Sequence, residues 1–550
     1  MKLNKLIYVV PLAALILAAG TGCNKNKFNI NKNINSVTDS TVTYDVVLPA
    51  ALNASGRIVA SQWGPIQNWM SYWSRSGTYA PNVLEETYTI TTGFGTGVWN
   101  NCYDNNYDYN IVQIKANTAG AGFYEGIARI MKAHNFQILV DVYGNVPYSQ
   151  ALKGSGNPTP AYDKGLDIYK ALLREIDAGM ALINAAVVTT TNPNKGIATN
   201  DIMFQGNKTK WQKFGNTLKL RMLIHAYAEP GINKAAEMAI INTNGNGFLG
   251  AGEDATINPG YTGNDKANPF FNTYKTNTDG SSSANDVYYK ANEWGIEYYK
   301  FDGDPRVTNS LVAGTGGRIY TAGSGGLVGV KYGLPPIGAN AAPVLAGIGP
   351  AIYKSATAPQ VLMSATESFF LQSEARFRGI ITAGPTAQAL MTSGIYESFT
   401  YLGVPNPVAS ANAYIAGNAT YPDVDYNGVA QGTGGPVGGL FTILSQKWFA
   451  LNGIATLEIW TDWRRVPYSS VATKLLSGAN ASTTNFVYGD GGGFTSFGPG
   501  PFRSVSPQIT PTDNIPVRYL YPQTEYNYNT ANVSAEGNIT RYSRVFWDLN

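Results

Sequence analysis

The chain has 550 residues, 44% of them hydrophobic and 12% aromatic but only 14% charged, with 60 Gly, 29 Pro and 35 Tyr. That content supplies a large buried core and excludes a disordered chain, while a formal net charge of +3 excludes the electrostatic footprint of a nucleic-acid or anionic-lipid binder. Polar surface must come largely from Asn, Thr, Ser, Gly and tyrosine hydroxyls, which suits neutral ligands.

Lys2 and Lys5 precede an apolar run from Leu6 to Ala19, and Gly20, Thr21 and Gly22 lead into Cys23. The run is too short to span a bilayer and has the layout of a secretory leader. Small residues directly before a cysteine resemble a bacterial lipobox. Residues 1–22 therefore read as a lipoprotein signal peptide and Cys23 as the acylated N-terminus, the alternative being an ordinary leader cleaved nearby. Residues 23–43 are rich in Asn, Lys, Ser and Thr without periodicity and read as a flexible tether. Residues 44–550 read as one domain. Cys102 is then the one remaining cysteine, so stability must come from packing rather than disulfides.

The first helix is expected over Asp45–Ala60 and a second over Val98–Asn117, with Val98, Cys102, Tyr109, Val112 and Ile114 inward. Phe123, Ile127, Ile130, Met131, His134 and Ile138 recur at spacings of three and four, which predicts a buried helix face from Gly122. That helix stops at Tyr143, since Gly144 suits a left-handed cap and Pro147 follows. The segment Tyr143–Tyr148 reads as a surface turn. Further helix pairs are expected over Asp163–Ala186 with Lys210–Ala228 and over Ala365–Gly379 with Pro385–Leu402. A fourth pair starts at Phe441–Leu451 and breaks at Gly453. Long aperiodic stretches separate them: Gly245–Tyr289, Asp302–Gln360, Gly403–Gly439 and Val466–Thr540. The expected fold is mostly α: a tetratricopeptide-like helical-hairpin scaffold with irregular, partly β insertions forming a ligand face.

Trp63, Trp69, Trp73 and Trp99 are four of the ten tryptophans and lie close together. Around them stand Gln62, Gln67, Asn68, Tyr72, Arg75, Tyr79 and Asn101. A neutral sugar needs a flat ring against its C–H face and short polar side chains for its hydroxyls, and this stretch carries both. A second cluster, Tyr288, Tyr289, Trp294, Tyr298 and Tyr299 with Asn285, Asp286 and Asn292, has the same character. The ligand-binding candidates are accordingly Trp63, Trp69, Tyr72, Trp73, Arg75, Trp99, Asn101, Tyr288, Tyr289 and Trp294. The competing expectation for each single ring is burial in the core.

Six stretches in order resemble the SusD/RagB family of nutrient-binding outer-membrane lipoproteins of Bacteroidetes, and more narrowly its SusD-like branch. They are YGNVPYSQAL (Tyr143–Leu152), WQKFGNTLKLRM (Trp211–Met222), FDGDPR (Phe301–Arg306), ESFFLQSEARFRG (Glu367–Gly379), SQKWFALNGIATLEIWTDWRR (Ser445–Arg465) and YPQTEYNYN (Tyr521–Asn529). The resemblance implies a tetratricopeptide-bearing fold, a lipid anchor in the outer membrane, and a role as the lid of a TonB-dependent transporter, a SusC-like β-barrel that imports glycans or, in some members, peptides. It also implies an outward-facing anchor, although Asn24, Lys25, Asn26 and Lys27 follow Cys23 where surface-exposed members often carry acidic residues.

No catalytic, cofactor or metal site is expected. The two histidines, His134 and His225, both lie on apolar helix stripes and read as satisfied core residues. Asp302 and Asp304 lack the spacing of a calcium loop and read as a capped turn. Asp462-Trp463-Arg464-Arg465 reads as a buried structural ion pair. A glycoside hydrolase built on a carboxylate pair drawn from Glu85, Glu86, Asp104, Asp108, Asp423 or Asp425 is the enzymatic rival, and no motif supports it. A structural surface protein that binds no small ligand is the other rival.

Overall fold

The computed structural model describes residues 42–548 apart from 62, 264, 302, 308–317, 337, 420, 422, 428–438, 467–502 and 511. The leader, Cys23, nearly all of the tether, Gln62, Asp302 and most of the stretch after Val466 lie outside the described residues. Seven labelled helices make up the first half: α1 (Tyr44–Ser61), α2 (Gly64–Trp69), α3 (Val83–Glu86), α4 (Thr96–Ala119), α5 (Gly122–Tyr143), α6 (Gly165–Ala185) and α7 (Lys208–His225). After an irregular stretch with further short helices come α8 (Ala284–Tyr288), α9 (Glu293–Phe301), α10 (Ala365–Phe377), α11 (Ala387–Tyr401), α12 (Pro407–Gly417), α13 (Leu440–Leu451) and α14 (Thr456–Arg465).

Local sequence sets several of these boundaries. Asn207, Ser364 and Thr386 each accept a backbone N–H from the first turn of the helix they precede, satisfying donors that have no intrahelical partner. Gly144, at φ +80°, ends α5, and Gly453, at φ +70°, separates α13 from α14. Helices α4 to α7 then pack as successive antiparallel neighbours, with α10 on α11 as a further hairpin. The α5–α6 crossing is close because both sides are glycine: a Cβ on Gly126 would stand 2.5 Å from the Gly179 carbonyl oxygen, and one on Gly179 would stand 2.7 Å from that of Gly126.

Two expectations change. Ile114 points outward, 58% exposed, while α4 buries Val98, Trp99, Cys102, Asn105, Asn106, Tyr109, Val112 and Ala116. Tyr143–Tyr148 is not a surface turn. Val146–Pro147 pairs with Tyr162–Asp163, Asn145 Oδ1 accepts from the Gly165 amide at 2.9 Å, and Tyr143 and Val146 are buried.

The irregular insertions are tied down by a small antiparallel sheet of β1 (Trp73–Arg75), β2 (Tyr289–Ala291), β3 (Tyr320–Thr321) and β4 (Gly347–Ile348), in the order β1-β2-β4-β3. Trp73 stands opposite Ala291 and Arg75 opposite Tyr289. This pairing joins the two aromatic clusters of the sequence, 200-odd residues apart, into one region.

Candidate ligand-binding face

Most of the predicted binding rings are core. Trp69, Tyr72 and Trp73 are fully buried, and Trp63, Trp99, Tyr289, Trp294 and Arg75 are buried as well; Asn101 is exposed on α4 and Tyr288 half-buried. Trp69 stacks on Phe94 with centroids 5.6 Å apart and packs against Trp460 and Tyr519, each 6.2 Å away. Tyr72 stacks on Trp448 at 4.6 Å and donates its hydroxyl to the Trp448 carbonyl at 2.7 Å. Trp73 meets Tyr274 and Tyr289, Trp294 meets Trp448, and Trp99 meets Tyr143 and Tyr521. The physical reason is area: each ring removes 150–250 Å² from water at its best-packed limit, so partners far along the chain outcompete a place on the surface. Gly64 makes room for this packing, since a Cβ there would lie 2.2 Å from the Tyr289 hydroxyl. Trp63 and Gln67 line a narrow, partly open pocket with His134, Arg221 and Glu458, whose free space of about 50 Å³ holds a few waters.

What reaches the surface lies just beyond β1. Arg75 leaves the strand and uses all three guanidinium nitrogens on protein acceptors: Nε donates to Glu86 Oε1 at 2.5 Å, Nη1 to the Tyr79 carbonyl at 2.7 Å and Nη2 to the Leu334 carbonyl at 2.7 Å. It is a strut between two loops. Gly77 donates to the Asn340 carbonyl at 2.7 Å, and Ser76 donates to the Tyr288 carbonyl at 2.8 Å, so the turn after β1 is tied to Tyr288 and to Asn340. On them the half-buried rings of Tyr79 and Tyr288 meet with centroids 5.3 Å apart, inclined at 57°. Pro81, Asn82, Val83 and Leu84 on one side and Pro335 and Pro336 on the other are exposed, Leu84 by 48%. Beneath this rim sits Glu85, buried, accepting from Asn68 Nδ2 at 2.7 Å, Asn82 Nδ2 at 3.1 Å and the Tyr332 hydroxyl at 3.3 Å. Burial, with Glu86 beside it, pushes its carboxyl up to about 7 against the pull of those donors and Arg75. A pair of part-exposed rings beside apolar and amide side chains is what a sugar-stacking or peptide-clasping surface requires.

Of the sequence candidates, the structure brings Arg75 and Tyr288 to this face and leaves the others away from it. Tyr79, Asn82, Val83, Leu84 and Asn340 were missed as site residues. The available signal was the Gly77-Thr78-Tyr79-Ala80-Pro81-Asn82 run, a turn too polar and Pro-rich to be core and carrying one ring.

The profile of a family described as SusD-like, starch-binding and associating with outer membrane matches residues 35–486, well over half of the chain. The chain belongs to this SusD-like family. Solved SusD-like structures share its fold: a SusD homologue from Bacteroides fragilis aligns with a TM-score of 0.67 at 18% identity, covering 92% of this chain and 99% of that one. A SusD/RagB family protein from Bacteroides thetaiotaomicron gives 0.65 at 18% identity over 92% and 99%. A chitin-binding SusD homologue from Flavobacterium johnsoniae gives 0.67 at 20% identity over 92% and 99%. At such identities the likeness carries the fold. No curated protein matches the chain. No described helix is long and apolar enough to cross a membrane.

The other motifs shared with SusD-like proteins build the scaffold. Arg465 pairs with both oxygens of Glu374 at 2.6 Å and with Asp462 at 2.6 Å, while Lys447 stands 2.9 Å from Asp462. Arg306 and Asp304 form a fully buried pair at 2.6 Å, so Asp304 of the FDGDPR turn is engaged by an arginine, while Asp302 lies outside the described residues. Arg221 bridges Glu367 at 2.6 Å and Glu458 at 3.3 Å. His225 lies between Glu458 and Asp141 at 2.9 and 3.0 Å. Burial alone would lower its pKa, but the two carboxylates outweigh it and hold it up at about 9. His134, by contrast, is pushed down to about 4 by burial and by Arg221. Among the described residues no cluster of His, Cys, Asp and Glu has the make-up of a metal site.

Proposed function

We propose that this SusD-like protein is an outer-membrane lipoprotein, acylated at Cys23 and facing outward, that binds an oligosaccharide on the Tyr79–Tyr288 face and hands it to a TonB-dependent transporter of the SusC-like β-barrel type. The observation that supports the ligand site is the clamped pair of part-exposed tyrosines, held rigid by Arg75 where every neighbouring tryptophan is core. A family described as starch-binding, and a fold neighbour that binds chitin, support an oligosaccharide over an oligopeptide. Catalysis has no support: the buried acids at this face are spent on Asn68, Asn82, Tyr332 and Arg75.

Three experiments test this reading. Tyr79→Ala and Tyr288→Ala are each expected to weaken binding to a retained glycan by about 1–3 kcal/mol with little change in melting temperature. Unchanged affinity in both would remove the face from the reading, and release of reducing ends from the same glycan would replace binding by hydrolysis. Cys23→Ala is expected to move the protein from the membrane fraction to the soluble one. If it still sediments with membranes, the anchor lies elsewhere. Mild detergent extraction of the unaltered protein should bring down a large β-barrel partner, across an interface of at least ~1,000 Å².

A further inference from the structure

We infer that the Tyr79–Tyr288 face selects uncharged oligosaccharides and rejects those bearing carboxylate or sulfate groups, with Glu85 as the specificity-determining residue. The inference rests on the reading of this face as the ligand site and adds what that site discriminates.

The argument starts from the charge a ligand would meet. The Arg75 guanidinium, beside the rim, is not available to it: among the described residues Arg75 is only 3% exposed, and its Nε, Nη1 and Nη2 donate to Glu86, Tyr79 and Leu334. An anion could recruit Arg75 only by breaking bonds that hold the two loops together. Against that single cation stand two adjacent carboxylates, Glu85 and Glu86, so the group carries +1 − 2 = −1 when both are ionised. Glu86 is matched by Arg75, which leaves Glu85 as the uncompensated charge, held by neutral donors from Asn68, Asn82 and Tyr332.

That charge is felt at the surface. The Tyr288 hydroxyl, hydrogen-bonded with Asn82, is pushed up first by burial and next by Glu85 and Glu86, with Arg75 opposing. Asn82 is the physical link, since its amide donates to Glu85 and lies on the exposed rim. Two lysines near Tyr288 are turned elsewhere: Lys275 pairs with Asp286 at 3.0 Å, and Lys290 donates to the Asp286 carbonyl at 2.7 Å. The groups around Glu85 are therefore Asn68 from α2, Arg75 from β1, Asn82 and Glu86 at α3, Tyr288 and Tyr289 from the α8–β2 junction, and Tyr332 and Tyr519 from the irregular segments. Only Arg75 among them is cationic. A carboxylate on a sugar docked over Tyr288 would face this excess charge through partly buried protein, where like charges repel more strongly than in water.

The test uses maltohexaose, cellohexaose and chitohexaose, each alongside the same oligosaccharide with its primary hydroxyls oxidised to carboxylates, titrated calorimetrically at low salt. At about pH 8 the unaltered protein is expected to bind the oxidised form of whichever sugar it takes at least about tenfold more weakly than the neutral form. Glu85→Gln, which keeps shape and hydrogen-bonding atoms, should narrow that ratio several-fold. Should the variant fail to fold, the unaltered protein supplies the same readout: at about pH 5.5 Glu85 takes up its proton while the sugar carboxylates stay ionised, and the ratio narrows. Equal affinity for both forms at pH 8, or a ratio indifferent both to Glu85→Gln and to pH, overturns the inference while leaving the glycan-binding reading standing. Binding of an oxidised sugar with none of its neutral parent overturns it outright. Retention of neutral sugar unaffected by Tyr79→Ala and Tyr288→Ala instead moves the site and takes the inference with it.

Discussion

His225→Leu is expected to lower the unfolding free energy by about 3–5 kcal/mol at neutral pH, because it leaves Glu458 and Asp141 as buried carboxylates without their shared cation. His225 ties helices that are far apart in the chain: its own α7 to Glu458 on α14 and to Asp141 on α5, where Gln137, Tyr169 and Trp547 also donate. The pH dependence follows from the direction of its shift. The folded state holds the imidazolium up to about 9, above its ordinary value of 6.5, so the stabilisation is fully present below 6.5 and is lost as pH rises through 9. Urea unfolding of both proteins between pH 6 and pH 10 checks this. The gap in midpoint should be widest at the acid end and should shrink on the alkaline side. A constant gap across that range would mean that His225 acts by packing alone.

The sequence made the helical scaffold legible for a local reason. The Phe123–Ile138 periodicity and the Gly144 and Gly453 stops are each encoded within a few residues, and the helices end close to where those signals stand. Periodicity did miss how completely α5 is enclosed. Almost every residue from Phe123 to Tyr143 is buried, polar ones included, since α4, α6 and the C-terminal segment cover its sides. The site was less legible because its deciding contacts are long-range. Nothing near Tyr72 in the chain announces that Trp448, 376 residues on, will take its ring and its hydroxyl. Tryptophan density therefore marked a buried aromatic block, and the part-exposed rings of the proposed ligand face lie on the polar turn that follows it and on Tyr288. Arg75 shows the same limit: residue type and neighbourhood fit a ligand donor, but Glu86, Tyr79 and Leu334 had already claimed every nitrogen.

Trp69→Ala is the second large effect, an expected loss of about 3–5 kcal/mol with glycan affinity intact in the folded fraction. Trp69 touches Tyr88, Phe94, Trp460 and Tyr519, so its removal opens a cavity at the meeting point of α2, α14 and the C-terminal segment. Its buried indole Nε1 has no acceptor among the described residues, which makes Trp69→Phe informative. The phenyl ring keeps most of the contact area and discards an unsatisfied N–H, and those two changes offset, so Trp69→Phe should cost about 1 kcal/mol or less. Thermal and urea unfolding of the two variants give the comparison, and titration with the glycan retained by the unaltered protein gives the second axis. Tyr288→Ala should show the opposite pattern, a stable protein with weakened binding. If Trp69→Ala melted normally and lost affinity, the aromatic block would be the platform after all, and the core assignment of Trp69 would fall with it.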